Sequence, residues 1–581
     1  PPFHAEATRV EAGEDLVQME EAIVFFGEPG PAAINLRAAR VSYFPEERVR
    51  AENVTIRIGR VPVFYLPVFT RRIDGLATEI QAEAGYSANV GAFGYIATRT
   101  PILPYLSVGP EIGVYAQRGF LYGPGLTYAA SGEDNRIEGN LTSGYIRDRG
   151  ELGFDRLERP IDDERYFAEW RHKQVMRENL ELTGHLNLWS DSEITRDFRP
   201  GLFRHNQFPD NFFEAVYLGD GYLLSAFTRA SPHDFQIVQE RLPEVRFDLL
   251  PRRAGEHLYH QLQASAAVLR EDDPLFADTR SDRLDLYYGL HWPIQATEWL
   301  TITPKAGARV THYQRALEDR EDYTRALGEV GFDAEMNAYS VYDYRNPLWR
   351  IDGIRHVVKP RLHYRYIPEA DQGARFIPQV DRRAFATQLQ PIDLGQIRHI
   401  DDLEEVHTLR YGLDNIFQTR HPTYGSTELL SLFLANDLRF ARGPDERLVS
   451  DIHAQLVFTP IYWLQLDVLQ RYSPANAEIS ELAAGLTIRD SRFWSIRLEA
   501  EYLQELIEQY SLMFSRRLNE QYTVQADIRY DAILNSFARQ SYGVIQTLYN
   551  AWDVRYQVHF YTGSEREAAL GVGLSFTYRS L

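Results

Sequence analysis

The stretch YTVQADIRY, Tyr522 to Tyr530, alternates without a break. Tyr522, Val524, Ala526, Ile528 and Tyr530 fall on one face of an extended chain, and Thr523, Gln525, Asp527 and Arg529 on the other. WDVRYQVHF, ALGVGLSFTYR and LELTGHLNL repeat the pattern, and WLQLDVLQRY and SIRLEAEY are looser versions. Such segments recur from about Glu79 to the C-terminus, separated by turns or polar stretches. The apolar faces are small in the middle and aromatic at the ends, as in girdles at the two edges of a bilayer. The opposite faces carry Asp, Arg, Gln and His, which suits a wet interior. Segments of about nine to eleven residues cross the hydrocarbon layer when tilted. In lipid every backbone group must be paired, so the strands must close on themselves. The Tyr–Val–Ala–Ile–Tyr face of the opening segment is therefore expected to look at lipid.

The first 70 residues differ. INLRAARVSYF, RVRAENVTIRIG and VPVFYLPVF are short β segments without aromatic girdles, and read as rungs of a small water-soluble β domain. Pro62 and Pro67 are expected to end it and lead into the barrel. Helical periodicity is scarce. DLEEVHTLRYGL, Asp402 to Leu413, reads either as a short helix or as a strand in its second half. Four polar stretches read as loops: Ser190–Phe213, Arg270–Arg283, Arg315–Phe332 and Pro368–Asp402. Loops this long are rare inside compact domains and ordinary on the outer side of membrane barrels. At about 20 residues per strand and loop, the chain after Gly75 holds on the order of 25 strands. The predicted fold is all-β: a transmembrane antiparallel barrel of about 26 strands over 71–581, preceded by a β domain over 1–70.

Composition narrows the function. The chain has 581 residues, a net charge of −20 and no cysteine. Disulfides, thiolate metal sites and cysteine nucleophiles are thereby excluded. The acidic balance argues against a nucleic-acid partner. Cations are nearly all Arg, with Lys only at Lys173, Lys305 and Lys359. No apolar run is long enough for a transmembrane helix. The opening PPFHAEATRV does not look like a native start, so part of the N-terminus is expected to be missing. No hydrolase, metalloprotease or phosphate-loop motif occurs, so no catalytic residue, metal or cofactor is assigned. His257 and His260 in HLYH would point to opposite faces of a strand. REDDP and EDREDY read as solvated loop tips or as sites for divalent cations.

AENVTIRIGRVPVFYLPVF, with GYSANVGAFGYI and LSVGPEIGVYAQRGFLYGPGLTY, resembles the lipopolysaccharide-assembly outer-membrane protein family, LptD or OstA. The stretch from Trp170, LPEVRFDLLP from Leu242, and the span from HVVKPRLHYRYIPEADQ to LRYGLDNIF look like the same family. The resemblance covers about Ala38 to Leu581. It implies a periplasmic β-jellyroll fused to a very large barrel in the outer membrane of a Gram-negative bacterium. Residues 1–70 would be the C-terminal part of that jellyroll.

The implied function is to receive lipopolysaccharide (LPS) from a periplasmic bridge protein of the LptA type. The chain would then insert it into the outer leaflet through a lateral opening, with a plug lipoprotein of the LptE type in the barrel. The family's jellyroll–barrel cysteines are missing here. The rival reading is a porin-like channel for soluble solutes. A second rival is an outer-membrane enzyme, whose barrels are usually smaller.

Pro101, Pro104 and Pro110 are expected to flank the hairpin of the first two barrel strands. They read either as a lateral gate, since proline weakens strand pairing, or as turn signals. The partner strand would be Leu570–Tyr578, loosened by Gly571 and Gly573. Pro62, Phe64, Tyr65 and Pro67 are candidates for the jellyroll–barrel passage, and Val41, Tyr43, Ile56 and Ile58 for lining an acyl path.

Overall fold

The computed structural model describes residues 4–13, 16–25, 34–44, 48–58, 60–72, 79–272, 278–318, 320–370, 372–421, 423–441, 447–490, 493–548, 552–562 and 569–578. Two antiparallel β systems account for nearly all of them.

The first is a six-stranded sheet. Val17–Phe25, Ile34–Phe44, Arg48–Ile58 and Val61–Arg72 pair in chain order, and two short strands, His4–Glu6 and Arg9–Ala12, pair with Val17–Phe25. Alternation puts Val24, Leu36, Ala38, Val41, Val49, Ala51 and Val54 on one face, where they form a closed apolar cluster. Glu21 and Asn53 take positive φ at irregular points of the ladder.

Pro62 and Pro67 lie inside the edge strand Val61–Arg72 and not at its end, which corrects their expected place. An edge strand tolerates proline because one row of its amides has no partner to lose. Proline also blunts the edge against unwanted pairing. Tyr65 is exposed and donates to Asn53 Oδ1 at 2.9 Å. The Ile56, Ile58 and Phe64 side chains fall outside the described residues.

The second system is a closed barrel. Twenty-eight β segments form it between Glu79 and Tyr578. Ile294–Thr297 and Ala338–Asn346 continue the segments before them past a break, so the wall has 26 staves, matching the expected number. Every neighbouring pair is antiparallel. Closure satisfies the backbone that a lipid surround would leave unpaired. The alternation read from the sequence sorts the side chains. Val114, Phe120, Tyr122, Tyr166, Leu188, Leu284, Leu286, Val330 and Tyr510 are exposed on the outer wall, whereas Arg165, Arg283, Arg309, Arg325 and Arg365 are fully buried on the inner one. No helix among the described residues is long and apolar enough to cross a membrane.

At the end where the chain enters the barrel the turns are short. At the other end stand loops 148–163, 190–211, 230–239 and 368–405. Two expected loops are partly strand. Tyr259–Glu271 and Thr279–His291 run into Arg270–Arg283, and Asp322–Met336 begins inside Arg315–Phe332. Both stretches are polar because long staves project beyond the lipid layer, where even the outer face is wet. The ambiguous Asp402–Leu413 segment becomes strand from Val406.

Candidate functional site

The barrel closes between its first stave, Glu79–Ser87, and its last, Leu570–Tyr578. Seven residue pairs join them among the described residues, from Gly571↔Ser87 to Thr577↔Gln81. Thirteen join Asn135–Arg147 to Glu164–Met176 elsewhere in the wall. Gly85 and Gly573 face each other across this seam. They are glycines of different kinds. A Cβ on Gly85 would stand 2.3 Å from the Val572 carbonyl oxygen, whereas one on Gly573 would meet nothing within 4 Å. The last stave thus leaves open space on the luminal side.

The structure moves the prolines away from this seam. Gly91–Leu103 and Leu106–Tyr115, which carry Pro101 and Pro110, are the second and third staves, and Pro104 sits in the turn between them. The hairpin expected to open the barrel is preceded by Glu79–Ser87, whose small residues and Glu gave little strand signal. The prolines still loosen the wall. Pairing of these two staves skips from Ala97↔Glu111 to Thr100↔Val108 beside Pro110, and shifts again at Pro101. Pro110 faces Pro124, beside which pairing to the next stave also lapses, between Tyr122↔Tyr145 and Gly125↔Thr142. Neither proline has an N–H for the ladder.

The luminal side of the first seven staves is braced by the loop 190–211, a strap folded into the barrel. Two short helices, Ile194–Phe198 and Pro200–Phe203, form its middle. Ile194 and Phe198 bury against Val90, Tyr115, Leu121, Ile146, Phe167 and Trp189. An ion-pair network lies beneath them. Arg165 donates to Asp148 at 2.8 Å, to Asp191 at 2.7 Å and to Asp197 at 2.7 Å. Arg118 donates to Asp148 at 2.7 Å and to Asp197 at 2.9 Å, and Asn89 Nδ2 donates to Asp197 at 3.0 Å. These residues come from four successive outer connections and their flanks, so the network ties the first seven staves together. Burial alone would raise the Asp197 carboxyl; Arg165 and Arg118 outweigh it and hold the group below the ordinary Asp range.

Beyond its helices the strap reaches past the seam. Arg204 donates to the Tyr561 hydroxyl at 3.1 Å, on the next-to-last stave, Trp552–Tyr561.

A second loop, 368–405, folds into the lumen against the middle of the wall. Arg283 donates to Asp381 at 3.0 Å and to Asp401 at 2.7 Å. Arg309 donates to the Leu394 carbonyl at 2.8 Å, and the Leu394 amide donates to Glu329 at 2.6 Å. Thr387 reaches Glu481 at 2.9 Å. The sequence reading missed both inward folds. A signal was present: these polar stretches carry Ile194, Phe198, Ile377, Val380, Ile392, Leu394, Ile397 and Ile400, all buried and too apolar for loops that only face water.

Of the acyl-path candidates, Val41 is fully buried in the sheet's core and Tyr43 packs half-buried against it. Among the described residues no group of three or more His, Asp or Glu is placed to hold a metal ion. His257 lies in a turn and His260 on a strand, so they do not form a pair.

The model of the family described as LptD, LPS transport system D, matches residues 163–532. The chain belongs to the LptD family. Curated relatives agree. The LPS-assembly protein LptD of Pseudomonas syringae pv. syringae is 23% identical over 404 residues, covering 61% of this chain and 42% of the relative. That of Nitrosococcus oceani is 27% identical over 391 residues, covering 64% and 50%. That of Neisseria meningitidis serogroup A is 23% identical over 362 residues, covering 59% and 42%. The match spans about half the length of these relatives or less. The relatives are named as assembly proteins and not as enzymes. Family and barrel together place the chain in the outer membrane.

Proposed function

We propose that this chain is the outer-membrane barrel of an LPS translocon, and that the glycolipid leaves sideways through the seam. Membership of the LptD family carries the reading. The geometry is suited to it. An LPS molecule has acyl chains that need a dry path and phosphorylated sugars that need a wet one. A seam joining a polar lumen to a lipid-facing wall offers both at once. The pairing between Glu79–Ser87 and Leu570–Tyr578, seven residue pairs, is among the shorter ladders of the wall, which lowers the cost of parting it there. Gly571 and Gly573 remain gate residues in this reading. Pro101, Pro104 and Pro110 lie in or between the second and third staves and loosen the wall behind the first, without setting the hold of the seam itself.

The six-stranded sheet would be the end of a periplasmic β-jellyroll covering 1–70, with 71–581 as the barrel. It would take LPS from a bridge protein of the LptA type and pass it along Val41, Tyr43, Ile56 and Ile58. The passage past Pro62, Phe64, Tyr65 and Pro67 would lead to the seam, and a lipoprotein of the LptE type would plug the lumen. Val41 is closed off in the packed sheet, so an acyl chain must part the sheet's open side to reach it.

The test is photo-crosslinking in living cells, with the reactive residue placed singly at Tyr43, Tyr65, Tyr95 and Phe576. LPS adducts at Tyr95 and Phe576 are expected. Their absence, with the protein correctly in the outer membrane, overturns the translocon reading in favour of a solute channel.

A further inference from the structure

Arg204 stands where the strap meets the far side of the seam. The strap leaves the seventh stave at Trp189, packs against Val90, Tyr115, Leu121, Ile146 and Phe167, and touches Tyr561 beyond the closure. Arg204 is itself exposed. It lies within electrostatic reach of Glu83 on the first stave and of Arg539 and His559 near the last. Arg539 pairs with Tyr561 across the ladder, and His559 with Gly571. Two guanidinium groups and an imidazole thus gather on the luminal side of the seam, beside the space that Gly573 leaves open. The Arg539 Nε and His559 Nδ1 atoms are buried without a hydrogen-bond partner.

We propose that Arg204 is a latch that responds to anionic head groups. It holds Tyr561, and with it the last staves, until the phosphate of an entering glycolipid takes Tyr561's place. The proposal rests on the transport reading above and adds to it a residue, a ligand chemistry and a trigger. The exchange is favourable on simple grounds. A phenol oxygen is a neutral acceptor. A phosphate offers a charge-assisted, two-pronged partner to the same guanidinium, roughly twice as strong per bond. Arg539, which is paired with Asp527, brings a second guanidinium to the same place. Once Arg204 turns to the phosphate, the strap no longer bridges the seam through Tyr561, and the last stave is held to the first by backbone pairing.

The chain has no cysteine, so an introduced pair reports cleanly. Ala84 and Leu574 face each other across the seam, and the double variant Ala84→Cys, Leu574→Cys forms a disulfide only while it is shut. The full-length protein in phospholipid nanodiscs would be oxidised under mild conditions. The probes would be bisphosphorylated lipid A, its dephosphorylated form, or inorganic pyrophosphate.

Bisphosphorylated lipid A is expected to slow disulfide formation about three- to tenfold, the worth of one net hydrogen bond. The dephosphorylated form should have no effect. Slowing by pyrophosphate would show that the phosphate alone trips the latch; its inertness beside an active lipid A would show that the whole glycolipid does. Arg204→Ala and Tyr561→Phe should each be slowed by a similar factor before any lipid is added. Arg204→Ala should respond no further to lipid A, and Arg204→Lys should respond in part. The latch is overturned if Arg204→Ala closes at the parental rate or keeps the parental response to lipid A. That result beside LPS adducts in cells sinks the latch alone. A parent unresponsive to lipid A, with no adducts in cells, sinks the transport reading itself.

Discussion

The two sides of the seam are built differently. On one side the first seven staves share a buried apolar cluster and a closed ion-pair network in which Arg165, Asp148 and Asp197 are essentially inaccessible to water. On the other side run the nine staves from Ile452 to Tyr578. Among their described residues Val554 is the single buried hydrophobic side chain. Two of their ion pairs, Arg497 with Asp467 and Arg539 with Asp527, leave each partner about a third exposed, and Arg471 with Glu481 is also partly exposed. Both sides have the same strands, the same alternation and the same ladder. The difference lies in what the loops do: 190–211 folds inward behind the first side, whereas among the described residues no loop between the last nine staves buries an apolar side chain, and loop 368–405 touches them at Glu481. The seam is therefore a joint between a stiff wall and a pliant one, and if it opens, the last staves do the moving.

The sharpest way to break this comparison is to remove one member of the stiff network. Arg165→Met leaves Asp148, Asp191 and Asp197 crowded and short of a cation. Breaking a buried pair from one side costs about 3–5 kcal/mol. The expected result is a large drop in the denaturant midpoint of the folded barrel, with the strap cleaved early by protease. The matching change on the pliant side, Arg539→Ala, should cost about 1 kcal/mol or less, because that pair is partly solvated. Equal losses would mean that the two walls are equally stiff.

A smaller effect separates the two glycines of the seam. Gly85→Ala places a methyl against the Val572 carbonyl and must push the last stave away. Overpacking of this kind costs about 1–3 kcal/mol. Disulfide formation between Cys at positions 84 and 574 should slow accordingly. Gly573→Ala puts its methyl into empty space and should change the rate little, since unconstrained surface substitutions stay within about 0.5 kcal/mol. The reverse order would place the crowding on the last stave.

These contrasts also show what the sequence made legible. Alternation in Tyr522–Tyr530, Trp552–Phe560 and Leu570–Tyr578 was enough to find the strands, their outward faces and the need for closure, because period two is a local property. The strand count followed from length. The seam's last strand was found for the same reason. Its first strand was not set apart, because EIQAEAGYS has one large aliphatic residue and one aromatic, and the prolines of the next hairpin drew attention instead. The strap was invisible for a different reason. Asp191 and Asp197 read as loop residues, and only the fold brings them to Arg118 and Arg165, 32 residues apart for Asp197 and Arg165 and 79 for Asp197 and Arg118. Non-local pairing of charges leaves no periodicity to read.

Pro110 offers a gain in place of a loss. It faces Pro124 inside the stiff wall, where two ladders skip residues. Pro110→Ala returns one amide donor to the pairing of Gly91–Leu103 with Leu106–Tyr115. A net hydrogen bond is worth about 0.5–1.5 kcal/mol. The barrel should become more resistant to denaturant by that amount, while the cross-seam disulfide rate stays at the parental value. A changed rate would put Pro110 back in the gate itself.

The smallest effect is one of pH. Asp197 is held below the ordinary Asp value of 3.8, with Arg165 and Arg118 overcoming the cost of burial. A carboxyl depressed in the folded state adds stability that is fully present above its unfolded pKa. That stability is lost only as pH falls through the lower folded value. Between pH 8 and pH 5 the strap should therefore keep its hold, with protease resistance of 190–211 unchanged. As pH falls below 3.8 and through the lower folded value, Asp197 takes up a proton, two guanidinium groups lose their shared partner, and the strap should loosen before the ladders do. Cleavage within 190–211 across a descending pH series reads this directly. Loosening already at pH 5 would mean that the network is not closed, and the stiffness of the first wall would have to come from its apolar cluster alone.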